Sequence, residues 1–337
     1  MTFGSTRYLG NLNSGLRSFF HPVAFSSDIQ DRPVRARLMG QDWVLYRFDG
    51  EIQAFLDRCP HRSAPLSVGS VFADGIECLY HGWRFSAEGR CTYIPALGDS
   101  QAIPKNASLT CAAKVEERYG LVFLAPDTPK VPLLEIAQDK DAQYERGELP
   151  MIVAGQHAGY LADNFLDMAH FPFVHSKTFG DALSVRVAPY NVQESDVGFS
   201  AFYSHKFLNR EDPGVGIGKR NLEQRRDMTY NYAVPFSMSL ELSFVETGGT
   251  MVIGFFISPV EECVSQLYTL IWRNDLGFGT LSMQEAIDFE LEVLREDLWL
   301  QEKYNTPGFA LDPRLEAHTA ADRITLAMRR SLRRYID

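Results

Sequence analysis

Residues 59–83, CPHRSAPLSVGSVFADGIECLYHGW, decide how this chain folds. They hold Cys59-Pro60-His61-Arg62 and, with sixteen residues between His61 and Cys78, Cys78-Leu79-Tyr80-His81-Gly82-Trp83. The pattern is C-x-H followed by C-x-x-H, so each half offers one thiol and one imidazole. An isolated Cys or His is ordinarily a buried thiol or a satisfied core histidine. Four ligand-type residues in paired spacing read instead as a metal site. Structural zinc is one possible occupant, although its familiar patterns pair Cys with Cys and His with His. Two thiolates on one iron and two imidazoles on the other iron of a [2Fe–2S] cluster suit the mixed pairing better, and neutral imidazole in place of thiolate raises the reduction potential.

Outward from this stretch, Val34 to Pro126 is a series of short apolar runs punctuated by Asp49-Gly50, Asp74-Gly75 and Glu88-Gly89. These predict hairpins of a small all-β unit whose last strand is LVFLAP. The proline-rich stretch APDTPKVPLLEIAQDKDAQ then reads as a connection, placing a boundary near residue 130 and domains at 1–130 and 131–337. Beyond it, LADNFLDMAHF predicts a short helix. PFSMSLELSF alternates Phe236, Met238, Leu240, Leu242 and Phe244 with Ser237, Ser239, Glu241 and Ser243, the period of a half-buried antiparallel strand. Ser282 with Glu285 forms a capping-box signature for a long helix, and Thr319 caps a terminal one. The expected class is α+β, an all-β N-terminal domain followed by an antiparallel sheet with flanking helices.

The 337 residues carry 33 Lys+Arg against 43 Asp+Glu, a net charge of −10 that argues against nucleic-acid binding. The first twenty residues hold no signal-peptide core and no segment matches a membrane span, so a cytoplasmic protein without membrane contact is expected. Five cysteines spread along such a length make poor material for a disulfide framework.

A second constellation lies in DNFLDMAHFPFVH. At about 100° per residue, Asp163, Asn164, Asp167 and His170 share one side of the predicted helix, and such a polar stripe is costly to bury unless charge faces it. His170 and His175 would diverge on an unbroken helix, but Pro172 lets the chain turn so that both imidazoles converge. Two imidazoles and one carboxylate, with positions left open, suit a non-haem Fe(II) site. On the long helix Asp297 falls inside the apolar arc, where a carboxylate needs a metal or an Arg partner. Glu290 shares the arc as the weaker candidate. Glu285, Asp288, Glu292, Glu296 and Glu302 read as a solvated face.

CPHR and CLYHGW at this spacing resemble the cluster motif of the Rieske non-haem iron oxygenases, and D-x-x-H-x-x-x-x-H resembles the mononuclear iron motif of the same family. The resemblance spans nearly the whole chain. It implies an N-terminal Rieske [2Fe–2S] domain, with Cys59 and Cys78 on one iron and His61 and His81 on the other, and a helix-grip-like catalytic domain holding Fe(II) through His170, His175 and Asp297. Asp167 would bridge His81 of one subunit to His170 of the next in a homotrimer, and Asn164 matches a position near the iron. The implied activity is that of a terminal oxygenase of the vanillate, dicamba and toluenesulfonate monooxygenase type. It would use O₂ and NAD(P)H electrons, delivered by a separate reductase with or without a ferredoxin, to hydroxylate or O-/N-demethylate a small aromatic or cyclic substrate. The alternatives are ring cis-dihydroxylation and, in a different class, electron transfer with a non-catalytic second domain.

Three further signals are minor. Gly214 to Lys219 lacks the spacing of a phosphate loop and reads as a mobile loop over a substrate channel. Arg323, Arg329, Arg330, Arg333 and Arg334 read as a solvated or intersubunit face rather than a docking patch. Phe236, Met238, Leu240, Phe255 and Phe256 are weak candidates for a pocket wall and stronger ones for sheet core.

Overall fold

The structure, a computed structural model, describes residues 7–98, 102–210, 212–276 and 282–336. The chain divides into two compact units, one of Leu12–Lys130 and one that runs from Val131 onward and also takes in the segment before Leu12. The strand Tyr8–Leu9 pairs with Phe309–Ala310, so residues 7–11, expected in the first domain, lie with the second unit.

The first unit is built from three small antiparallel sheets. Strand Gln41–Phe48 pairs with Val34–Leu38 and Glu51–Leu56, and its turn uses Asp49 and Gly50 at φ +48° and +82°, the mirror-image geometry a two-residue hairpin prefers. This strand is apolar on both faces because it separates two cores. Trp43 and Leu45 pack with Val23, Leu38 and Leu124, while Val44 and Tyr46 pack with Phe55, Leu66, Ile76 and Phe85. Cys59 and Cys78 belong to the second of these cores.

The second unit carries an eight-stranded antiparallel sheet. Its main path runs Glu145–Glu148, Val264–Arg273, Thr250–Glu261, Ser237–Phe244, Glu223–Ala233, Gly198–Leu208 and Asn191–Glu194, and Ile152–Ala154 also pairs with Val264–Arg273. Ser237–Phe244 is a central strand, and Ser237 and Ser239 are buried along with Met238, Leu242 and Phe244. The expectation of a solvated serine face does not hold, because the segment after Val131 crosses that side. There Gln138 donates to Glu241 (2.8 Å) and Trp272 donates to Asp139 (3.0 Å).

Among the described residues five helices complete the unit: α1 (Ala158–Leu166), α2 (Phe171–Val174), α3 (Pro213–Gly216), α4 (Met283–Gln301) and α5 (Arg323–Ile336). The Ser282/Glu285 capping box opens α4 as expected. Thr319 caps a single 3₁₀ turn, Ala320–Asp322, that runs into α5. Gly159 lets α1 sit against Phe309, since a Cβ there would lie 2.4 Å from the ring. The glycine-rich segment holds the single turn α3, capped by Asp212, which also takes a bidentate ion pair from Arg220. No described helix is long and apolar enough to cross a membrane.

Of the α5 arginines, Arg323, Arg330 and Arg334 lie exposed as expected, and Arg329 departs from the expectation. Arg329 is buried, donating to Asp163 (2.6 Å), Glu316 (2.7 Å) and Ala310 O (3.0 Å), so it supplies the charge that the α1 polar stripe requires. Arg323 donates to Tyr190 O, Arg330 to Glu194 and Arg334 to Ser195 O, fastening α5 to the edge strand Asn191–Glu194 and the residue after it.

Candidate metal centres

In the first unit the two C-x-H and C-x-x-H loops share one backbone frame. Cys59 N–H donates to Ala64 O and Cys59 O accepts from Ser63 N–H; Cys78 N–H donates to Trp83 O and Cys78 O accepts from Gly82 N–H. The residue four beyond each cysteine turns left-handed, Ser63 at φ +59° and Gly82 at +65°. Glycine adopts this without cost, whereas Ser63 bears a strain of order 1 kcal/mol. Both thiols are buried, and the Cys59 thiol is pushed up to about 11, by burial first and by the adjacent Cys78 thiol as well. The imidazoles of His61 and His81 lie with ring centroids 4.5 Å apart, and Trp83 stacks on His61 at 4.5 Å and 7°. His61 is held below its usual value by burial, then by the charge of His81 and Arg62.

Two observations fit a metal cluster at these loops. The thiols are side by side but free, and His61 Nδ1 is buried with no hydrogen-bond partner. A buried lone pair without a partner is costly, and a metal ion relieves it.

In the second unit Pro172 lies in the single turn of α2, and His170 and His175 flank that turn. Their Nε2 atoms come to 3.1 Å of each other, and Asp297 Oδ1 on α4 lies 3.4 Å from the first and 3.2 Å from the second. One ligand atom from each of the three residues falls within 4.8 Å of the others. The opposite ring nitrogens are engaged: His170 Nδ1 with Asp167 at 3.0 Å and His175 Nδ1 with Glu296 at 2.9 Å. Each carboxylate accepts an Nδ1–H and leaves an Nε2 lone pair facing Asp297. Two such lone pairs in contact repel unless a cation or proton lies between them. Burial opposes charge on His170, yet Asp167 and Asp297 raise it to about 9; burial also opposes charge on Asp297, yet His170 and His175 bring it down to about 2. The chemistry of the donor set suits a divalent metal, with carboxylate–histidine pairs fixing the rings behind it.

The sequence-expected residues His170, His175, Asp297, Asp167 and Asn164 thus lie together, Asn164 donating to Asp297 Oδ1 at 3.3 Å. Asp167 also accepts from the N–H groups of Ala169 and His170. Sequence reasoning missed Glu296, which it assigned to a solvated face. Its side chain is 14% exposed and also accepts from Thr178 Oγ1 at 2.8 Å. The buried stripe of α4 is Ala286, Glu290, Leu294 and Gln301, with Asp297 along it, and Glu296 stands 100° to one side where the chain around His175 covers it. Its adjacency to Asp297 was the only available signal.

The metal-ligand trio opens onto a pocket between the sheet and α4. Apolar residues dominate the wall, among them Phe165, Phe179, Phe207, Phe244, Val293 and Leu294. Of the weak wall candidates, Leu240 and Phe255 line it, whereas Phe236, Met238 and Phe256 are buried elsewhere in the sheet.

Comparison with known proteins agrees with both halves. Residues 19–110 match the Rieske [2Fe–2S] domain, and residues 156–337 match the vanillate O-demethylase oxygenase C-terminal domain. Methylxanthine N1-demethylase of Pseudomonas putida is 25% identical over 331 residues, covering 94% of this chain and 88% of that protein. Phenoxybenzoate dioxygenase subunit alpha of Ectopseudomonas oleovorans is 36% identical over 327 residues, 92% of this chain and 75% of its own length. A variant of the Pseudomonas putida CBB5 demethylase NdmA, solved with theobromine, superposes with a TM-score of 0.82 at 25% identity, over 96% of this chain and 91% of that one. A Rieske domain, an oxygenase C-terminal domain and this fold occur together in one order, and the chain belongs to the Rieske oxygenases, as the alpha, oxygenase component of these oxidoreductases.

Proposed function

We propose that this chain is a terminal oxygenase that mono-oxygenates a small ring substrate, hydroxylating it or removing an O- or N-methyl group. The observation that carries the reading is the trio His170, His175 and Asp297 at the head of a largely apolar pocket, with no fourth His, Cys, Asp or Glu joining the trio among the described residues. In this reading Cys59, His61, Cys78 and His81 hold the [2Fe–2S] cluster, and His170, His175 and Asp297 hold one Fe(II). Iron held there would supply O₂ activation, and the cluster would supply the electrons for it. The protein's own residues do the rest. Asp167 and Glu296 fix the imidazole tautomers, Asn164 steadies Asp297, and the phenylalanine wall excludes water and holds the methyl-bearing ring against the open side. Electrons come from NAD(P)H through a separate reductase, with or without a ferredoxin. The same reading takes a homotrimer, in which His81 of one chain reaches Asp167 and His170 of the next.

The demethylase relatives favour methyl removal, whose hydroxylated product releases formaldehyde. The identity with a phenoxybenzoate dioxygenase subunit favours a second outcome, a ring cis-diol. Turnover with NADH, a reductase and ¹⁸O₂ on methoxy- and N-methyl-substituted aromatic compounds separates the two. Formaldehyde, or one labelled oxygen per product, supports mono-oxygenation. A doubly labelled diol replaces it with dioxygenation, and NADH-independent or absent oxygen incorporation across the set contradicts the reading.

A further inference from the structure

Among the described residues lining the pocket, one buried polar atom has no hydrogen-bond partner: the hydroxyl of Thr269. Thr269 lies in Val264–Arg273 and is 3% exposed. It pairs in register with Phe255, also in the pocket wall, and Phe255 stacks face to face on Phe165 at 4.7 Å and 2°. Phe165 follows Asn164, which donates to Asp297. Thr269 therefore belongs to the wall that continues from the Asn164–Asp297 contact through two parallel aromatic rings, a surface suited to one face of a flat ring.

A threonine hydroxyl buried without a partner costs about 1–3 kcal/mol. Valine has the same shape and would fill this apolar wall without that cost. The hydroxyl makes sense when something in the pocket completes it, and a site built to hydrogen-bond its ligand discriminates sharply against analogues lacking the matching group. We propose that Thr269 Oγ1 is a specificity-determining contact. Its substrate class is then a planar ring compound bearing a hydroxyl, carbonyl or ring nitrogen on the edge that meets Val264–Arg273. This rests on the reading of His170, His175 and Asp297 as the reacting end of the same pocket, but it is read out by binding and not by turnover.

The test is calorimetric titration of the anaerobic, iron-replete protein with 3-methoxyphenol, 4-methoxyphenol and methoxybenzene, in wild type, Thr269→Val and Thr269→Ser. Wild type binds at least one phenol about tenfold or more tighter than methoxybenzene, the ratio expected for one completed hydrogen bond. Thr269→Val brings the ratio to about one, and Thr269→Ser retains it. The ligand-free Thr269→Val protein melts at or above wild type, because no hydrogen bond is lost on folding. Equal binding of the three probes by wild type, binding of none of them, a preference that survives in Thr269→Val, or a lower melting temperature for ligand-free Thr269→Val would overturn the proposal. If the binding preference follows the hydroxyl while oxygen incorporation is absent across the methoxy- and N-methyl-substituted set, the oxygenase reading fails and this one stands.

Discussion

His170 and His175 each hold one ring nitrogen against a carboxylate and turn the other toward Asp297. The two carboxylates differ in how visible they are in the sequence. Asp167 lies three residues before His170, within the motif that carries the family resemblance, and the chain turns after α1 to bring the two together. Glu296 reaches His175 across 121 residues and stands at the margin of the α4 stripe, where periodicity alone assigns it to solvent. Glu296→Gln replaces a charged acceptor with a neutral amide. The variant is expected to lose roughly tenfold or more in affinity for the mononuclear metal, while the visible spectrum of the cluster is unchanged. Metal analysis after graded chelation checks this, and equal retention in both proteins would remove Glu296 from the account. A second residue-scale expectation concerns pH. His21 is fully buried, its Nε2–H donating to Leu16 O at 2.9 Å, and burial brings it down to about 4 against the pull of that carbonyl. Between pH 6.5 and 4 the unfolded chain holds a proton on this residue that the folded chain does not. Stability is therefore complete above 6.5 and declines on acidification by about 1.4 kcal/mol per pH unit from this residue alone. Urea unfolding of wild type and His21→Gln at pH 6.5, 5.5 and 4.5 should show wild type losing more stability by that slope, and parallel pH profiles would contradict it.

At the scale of elements, the helices hold the site through charge as much as through apolar packing. Helix α1 carries Asn164 and ends just before Asp167, and its Asp163 is tied to Arg329 of α5, which also meets Glu316 and lies over the Phe309 ring. Arg329→Leu leaves two carboxylates without their cation and is expected to cost about 3 kcal/mol or more. Its melting temperature should fall by several degrees with loss of mononuclear metal, and Arg329→Leu combined with Asp163→Asn should recover part of the loss. An unchanged melting temperature would show that the ion pair contributes nothing. The elements themselves were largely legible. The hairpin turns at Asp49-Gly50 and Glu88-Gly89, the Ser282 cap of α4 and the break at Pro172 are local signals, and each leaves its mark within a few residues. The burial of Arg329, the buried serines of Ser237–Phe244 and the pairing of Tyr8–Leu9 with Phe309–Ala310 were not legible, because each depends on a partner more than a hundred residues away or on a segment crossing the far side of a sheet.

At the scale of the whole molecule, the two units divide the chemistry as they divide the chain. The first presents paired thiols and imidazoles on two loops of matching backbone geometry, and the second gathers two imidazoles and a carboxylate above an apolar pocket. Family membership joins these halves in one enzyme. The central claim is that both centres are metal sites of one chain, and iron content per chain tests it most directly, measured with visible and EPR spectra of the anaerobically purified protein before and after dithionite. The expected result is about three irons per chain and a Rieske signal, with His170→Ala falling to about two while that signal is unchanged. A colourless zinc protein, or two irons per chain in wild type even after addition of Fe(II), would contradict it.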